Sequence, residues 1–142
     1  MKKRTRVKNL CPSSCMEKEP FRHLVEDAVK TLPSKFQEKM ENVVILVEDE
    51  PGEEIRMKLR LQKGSLLFGL YQGVPKTRRG SGYTFVVPDT ITLFQKSIET
   101  VATTFDEVRE QIRQTLLHEV GHHFGMTEDD IRRAERRNKT HV

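Results

Sequence analysis

The chain has 142 residues, of which 35% are hydrophobic and 32% are charged. This length suits one domain with a single modest core, and the composition is typical of a soluble globular protein. No apolar stretch approaches the roughly 20 residues that a membrane-spanning helix needs, so we expect no insertion into a membrane.

The net charge of +4 is distributed unevenly along the chain. Residues 1–10 contribute +5 and residues 132–142 contribute +4, which leaves −5 for residues 11–131. Because the body of the chain is acidic, we do not expect a specific nucleic-acid function, although the basic ends can add salt-sensitive affinity for polyanions. Three functional hypotheses are considered for this chain, and a polyanion-binding protein is therefore ranked third.

Residues 1–19 lack apolar periodicity and are rich in Lys, Ser and Pro, which predicts a disordered basic leader. Its basic residues are not followed by the apolar core of a signal peptide, so we expect a cytoplasmic protein. Cys11 and Cys15 both lie in this leader, where they can close only a very small loop, and we expect free thiols. The domain is predicted over residues 20–136, with a basic tail at 137–142.

Apolar residues over 21–32 recur at the spacing of an amphipathic helix, which Pro33 ends or bends. A second short turn of helix is predicted around Phe36 and Met40. Residues 43–47 form a continuous aliphatic run before a turn signal at 49–52, and this predicts a buried central strand.

Apolar and basic residues alternate over 55–61, which predicts a strand with one wet face; a loop or a short helix is the alternative. Residues 66–71 and 83–87 are predicted as two more strands, joined by a long loop rich in turn residues. Another short strand is predicted over residues 90–94, after Pro88 and Asp89.

Thr104 and Glu107 have the spacing of a capping box, which predicts the start of a helix that runs to about residue 124. Gly125 suits the left-handed position that ends a helix, and Thr127 with Asp130 predicts the cap of a short final helix. The buried face of the first of these helices is predicted from Val108, Ile112 and Leu116.

Residues 118–122 read His-Glu-Val-Gly-His, an H-E-x-x-H motif in the later half of that helix. Residues four apart project from nearly the same face, so the two imidazoles can bind one zinc ion. Glu119 is rotated by about 100° from His118, which places its carboxylate beside the metal, where it can take a proton from a bound water. We therefore predict His118 and His122 as ligands of one Zn²⁺ ion and Glu119 as the general base.

A catalytic zinc usually has three protein ligands. The motif continues as H-E-x-x-H-x-x-G-x-x-E, in which Gly125 lets the chain turn back and Glu128 takes the ligand position. Asp129 is the alternative ligand. In a rival interpretation these acids bind no metal and are present because negative charge is favoured at a helix N-terminus. His123 is rotated by about 100° from His122 and is not predicted as a ligand. Candidates for an oxyanion partner come from the 71–83 segment, namely Tyr71, Arg78, Arg79 and Tyr83.

With these residues the chain resembles the small bacterial zincin-like metallopeptidases, the minimal zincins, over roughly residues 21–133. Besides residues 118–128, the resemblance depends on residues 43–51, on 69–75 with Arg79-Gly80, and on Pro88-Asp89. It implies an α+β fold in which a small twisted sheet packs on the H-E-x-x-H helix, with an edge strand that can pair with an extended peptide. The third ligand of the family is commonly Asp, where this chain has Glu128.

The predicted function is that of a zinc-dependent metallopeptidase, which hydrolyses the peptide bonds of a peptide or protein substrate with metal-activated water. The alternative is a non-catalytic module, in which zinc stabilises the fold and the cleft binds a peptide without cleaving it.

Overall fold

The computed structural model describes residues 16–73 and 88–140. The elements follow the order α1 (Lys18–Lys30), α2 (Ser34–Lys39), β1 (Val43–Glu48), α3 (Glu53–Lys58), β2 (Gly69–Gln72), β3 (Asp89–Phe94), α4 (Gln95–Val101), α5 (Phe105–His123) and α6 (Glu128–Thr140). The two helices predicted before residue 43 are confirmed as α1 and α2. Cys11, Cys15, the strand predicted at 83–87 and most of the loop before it lie outside the described residues.

The sheet has the strand order β1-β3-β2 in the described part of the chain. β3 runs parallel to β1, from the pair Val43 and Asp89 onward, and antiparallel to β2. The central strand is therefore β3, and the prediction that residues 43–47 form a buried central strand is wrong. Within the described sheet β1 lies at an edge, and only the face of Val43, Ile45 and Val47 packs against the core. Val44 and Leu46, on the other face, are 42% and 44% exposed, although the run is aliphatic on both faces.

The strand predicted over residues 55–61 is also wrong, because this region contains the short helix α3, the alternative named above. Acids in its first turn and bases in its last turn complement the helix dipole, which favours a helix over a strand. α3 contributes no buried side chain, so the alternation of apolar and basic residues in this region does not indicate a buried face. β2 begins at Gly69, three residues later than predicted, and α4 was not predicted.

One hydrophobic core joins the sheet to the helices. α1 and α5 pack against each other, and α5 also contacts β2, which places the later half of α5 beside the sheet edge. Burial of each large apolar side chain contributes about 1.5–3 kcal/mol. The fully buried residues that fix α5 in this position include Phe21, Phe36, Ile91, Leu93, Val108, Ile112, Leu116 and Leu117.

Both ends of α5 are formed as the sequence predicted. At the start, Oγ1 of Thr104 accepts the N–H of Glu107 at 3.1 Å, and Oε1 of Glu107 accepts the N–H of Thr104 at 3.3 Å. At the end, Gly125 has φ +81, a left-handed conformation that glycine adopts without strain. The N–H of Met126 donates to the carbonyl of Gly121 at 2.8 Å and closes the turn.

The start of α6 is capped in the same reciprocal way. Oγ1 of Thr127 accepts the N–H of Asp130 at 3.1 Å, and Oδ2 of Asp130 accepts the N–H of Thr127 at 3.0 Å. The chain therefore reverses between α5 and α6 within a few residues, and the first residue of α6, Glu128, lies beside the last turns of α5.

Candidate metal site

His118 lies on α5 with its ring oriented by the helix itself. Its Nδ1 is 2.8 Å from the carbonyl oxygen of Gln114, one turn earlier. Because a carbonyl oxygen only accepts hydrogen bonds, Nδ1 carries a proton, and the other ring nitrogen, Nε2, is directed away from the helix. A histidine that donates one nitrogen to a backbone carbonyl presents the other as a metal ligand.

Glu128 bridges the two motif histidines. Nε2 of His118 lies 3.0 Å from Oε1 of Glu128, and Nε2 of His122 lies 3.2 Å from Oε2. The imidazole rings are 5.9 Å apart between centroids. The hydrogen bond with His118, followed by that with His122, holds the pKa of the Glu128 carboxyl below its ordinary value. The structure therefore brings all three sequence-predicted ligands together at the surface.

The donor atoms of this set are of the types that bind zinc. Two atoms bound at roughly 2.0–2.1 Å to a tetrahedral zinc ion lie about 3.3 Å apart, close to the observed nitrogen-to-oxygen distances of 3.0 and 3.2 Å. Both ring nitrogens of His118 face oxygen acceptors, so a cation beside Nε2 would satisfy the imidazole and the carboxylate together. Across residues 16–73 and 88–140, no group of three His, Cys, Asp or Glu side chains is arranged so that it could hold a metal ion as it stands, and at this site the Glu128 carboxylate contacts both imidazoles directly.

Asp129 and His123 face other partners. Oδ1 of Asp129 accepts a hydrogen bond from the guanidinium of Arg132 at 2.9 Å, and this bond lowers the pKa of the Asp129 carboxyl. The ring of His123 stacks on Tyr71, with ring centroids 3.8 Å apart. Of the two acids that the sequence left open, Glu128 contacts the histidines.

Glu119 points toward the sheet. Its side chain is half-buried, and Oε1 accepts the backbone N–H of Tyr71 in β2 at 3.1 Å. Burial raises the pKa of the Glu119 carboxyl, while the hydrogen bond from Tyr71 acts in the opposite direction. A carboxylate with a raised pKa is a better proton acceptor near neutral pH, which suits a general base.

The contact of Asp89 with Tyr71 was not predicted from the sequence. Its Oδ2 accepts a hydrogen bond from the hydroxyl of Tyr71 at 2.7 Å, so that hydroxyl is already engaged by a carboxylate. The available signal for Asp89 in the sequence was the pair Pro88-Asp89, which is one of the segments on which the family resemblance depends. The other oxyanion candidates, Arg78, Arg79 and Tyr83, lie outside the described residues.

A cleft of about 270 Å³ borders the site, with His118 and Glu119 in its lining. One wall is formed by residues 66–69 and the other by Gln111, Gln114 and Thr115 of α5. A larger cleft of about 460 Å³ lies between α1 and β1, and its lining includes none of the predicted site residues. The smaller cleft is thus the one adjacent to the candidate chemistry.

An H-E-x-x-H helix packed on a small mixed sheet, with an acid after a glycine turn, defines a zincin-like α+β protein. The family model described as "zincin-like metallopeptidase" matches residues 40–137, and the chain belongs to this family. The predicted fold class and family resemblance are thereby confirmed.

No curated protein matches the chain. A solved structure, described as a conserved hypothetical protein from Thermo thermophilus, is similar at 23% identity with a TM-score of 0.49, covering 76% of this chain and 94% of that chain. None of the helices in the described ranges combines the length and the apolar character needed to cross a bilayer.

Proposed function

We propose that this protein is a zinc-dependent metallopeptidase. The observation that carries the proposal is the placement of the Glu128 carboxylate, 3.0 Å from Nε2 of His118 and 3.2 Å from Nε2 of His122. Two imidazoles and one carboxylate are an established ligand set for a catalytic zinc with an open coordination position. Glu119, the next residue after His118, then lies beside the site as a carboxylate of raised pKa.

His118, His122 and Glu128 would hold the ion. When bound, zinc lowers the pKa of a coordinated water toward about 7. The carbonyl of Gln114 keeps Nε2 of His118 available as a ligand. Because Oε1 of Glu119 accepts the Tyr71 amide, we assign proton transfer to Oε2 of the same carboxylate.

The substrate that fits this arrangement is an extended peptide. β2 pairs with β3 on one side only in the described sheet, and on its other side the N–H of Tyr71 donates to Glu119. Strand addition would therefore use the remaining main-chain groups of this edge. The cleft of about 270 Å³ borders both His118 and Glu119, next to the start of β2. Main-chain pairing would make recognition tolerant of sequence. A cytoplasmic location stays a prediction.

The proposal is tested by metal content and cleavage together. Protein purified without chelator is analysed for zinc and incubated with a mixed peptide library. We expect about one zinc per chain and cleavage products from the wild type, and for Glu119→Gln retained zinc with cleavage reduced at least about 100-fold. Glu38→Gln, an exposed position on α2, is the matched control and should cleave normally. Zinc-loaded wild type that cleaves nothing would refute the proposal.

One observation favours the non-catalytic module as a second candidate. Glu119 already has a structural contact, since its carboxylate joins α5 to the backbone of β2. In a peptide-binding module this contact would be the main role of Glu119. Such a module predicts that neither wild type nor Glu119→Gln cleaves the library, while zinc-loaded protein retains individual peptides, and that Glu119→Gln lowers the melting temperature.

A further inference from the structure

The backbone of Tyr71 sets the direction of the Glu119 carboxylate. Glu119 reaches this amide across 48 residues of sequence, from α5 to the edge strand β2. A hydrogen bond of 3.1 Å between a backbone donor and a carboxylate is sensitive to small displacements of either partner. The orientation of the candidate base therefore depends on where β2 lies relative to the end of α5.

The side chain of Tyr71 joins three elements at this point. Its ring stacks on His123 at the end of α5, with centroids 3.8 Å apart and an angle of 18° between the ring planes. Its hydroxyl donates to Oδ2 of Asp89, the first residue of β3, at 2.7 Å. Tyr71 is thus held from one side by the H-E-x-x-H helix and from the other by the central strand.

The packing around the stacked pair is close. A Cβ atom on Gly73, two residues after Tyr71, would lie 3.1 Å from Cε1 of His123. Phe124 meets the ring of His123 edge-on at a centroid distance of 5.0 Å. Nε2 of His123 lies 4.0 Å from Oδ2 of Asp89, the same oxygen that accepts the Tyr71 hydroxyl. The imidazole is therefore seated against the sheet edge, away from the Glu128 carboxylate that bridges the other two histidines.

We propose that Tyr71 and His123 are positioning residues whose stacked rings lock β2 onto α5 and so aim Glu119. The contact between the ring faces is the acting feature, and the variant His123→Phe separates it from the 4.0 Å approach of Nε2 to Asp89. The catalytic consequence rests on the proposed function, whereas the structural consequence, a fixed amide at residue 71, does not. Loss of the stack should release that amide while the three candidate ligands keep their places.

The test follows the amide of residue 71 by hydrogen exchange in the ¹⁵N-labelled, zinc-loaded full chain. An aromatic pair of ordinary strength predicts that His123→Ala speeds exchange of this amide roughly 2- to 13-fold relative to wild type. His123→Phe, which keeps a stacking ring, should restore slow exchange. His23→Ala, at an exposed histidine on α1, is the matched control and should change nothing.

Two results would overturn the inference. One is unchanged exchange at residue 71 in His123→Ala; the other is a His123→Phe variant that exchanges as fast as His123→Ala. Circular dichroism checks that each variant is folded. If His123→Ala does not fold, Tyr71→Phe serves instead: it keeps the stack and removes the hydroxyl bond to Asp89, so the residue-71 amide should stay slower than in the acceptor-deleted Glu119→Ala. Equal exchange in those two variants would count against the lock.

Turnover gives the second readout. His123→Ala should lower kcat with KM and zinc content unchanged, and His123→Phe should recover most of the loss. If the wild type cleaves no peptide, the proposed function fails, but the exchange experiment still decides whether the stacked pair positions Glu119. If the wild type cleaves and kcat of His123→Ala equals that of wild type, the positioning role is refuted while the peptidase stands.

Discussion

Gly121 is where α6, the helix that carries Glu128, approaches α5. A Cβ atom built on Gly121 would lie 2.7 Å from Cδ1 and 2.8 Å from Cγ1 of Ile131. Ile131 is 2% exposed and so has little room to move. Ordinary carbon contacts are about 3.5–4.0 Å, so Gly121→Ala requires Ile131 to shift by about 1 Å.

Two opposing effects set the size of the loss. Overpacking a core costs about 1–3 kcal/mol, whereas replacing glycine by alanine inside a helix returns about 1 kcal/mol. We therefore expect Gly121→Ala to lower the free energy of unfolding by about 0–2 kcal/mol. The larger effect should be on the metal: because Ile131 lies one turn after Glu128 on α6, displacement of the helix should weaken zinc binding about tenfold or more.

Zinc affinity is measured by competition with a chromophoric chelator, and stability by urea unfolding. Ile131→Val removes Cδ1, the atom nearest to the new methyl group, and alone costs about 0.5–1.5 kcal/mol. In the double variant the two changes should compensate, giving a favourable coupling energy in the mutant cycle. Gly52→Ala is the control, because nothing lies within 4 Å of its added Cβ. Wild-type zinc affinity in Gly121→Ala, with no coupling to Ile131→Val, would refute this account of how Glu128 is placed.

Three other expectations follow. Glu128→Ala should abolish stoichiometric zinc binding measured by elemental analysis, whereas Asp129→Ala should not, because Asp129 pairs with an arginine. The reverse result would mean that Asp129 is the third ligand in place of Glu128. Glu135→Ala leaves the guanidinium of Arg113, which is 10% exposed, with Glu110 as an acid partner on α5 but without its partner on α6, and should cost about 1.5–3 kcal/mol in urea unfolding. Burial raises the pKa of Glu99 above its ordinary value of 4.5, so its contribution to stability is complete below that value and is lost as pH rises through the folded pKa. Glu99→Gln should therefore raise the melting temperature at pH 7 and leave it nearly unchanged at pH 4, and a lower value at pH 7 would contradict the sign.

The features predicted correctly are those that short stretches of sequence determine. The capping box of Thr104 and Glu107, the glycine turn at Gly125 and the cap of Thr127 and Asp130 each involve residues within a few positions of one another. The three candidate ligands fall within residues 118–128, so helical geometry and one turn suffice to bring their side chains together, and their binding of a metal stays a prediction.

The errors concern features that distant contacts decide. The aliphatic run of β1 is typical of a strand that is buried on both faces. Its position at the edge of the described sheet depends instead on its pairing with β3, in which Val43 lies opposite Asp89, 46 residues later in the chain. α4 was missed because its buried positions are mostly polar, with Gln95, Ser97 and Glu99 around Ile98. The pairing of Glu119 with the Tyr71 amide spans 48 residues and has no local signal.

The distances along the chain separate two events in the assembly of this site. Glu128 contacts a histidine only 6 or 10 residues away, whereas the partner of Glu119 is 48 residues distant. A short segment closes on itself at small entropic cost, and a longer one requires more of the tertiary structure to be in place. If the chain binds zinc as we propose, we expect a molecule whose sheet has frayed to bind the ion as well, so saturation with metal would not by itself show that the molecules are competent for cleavage.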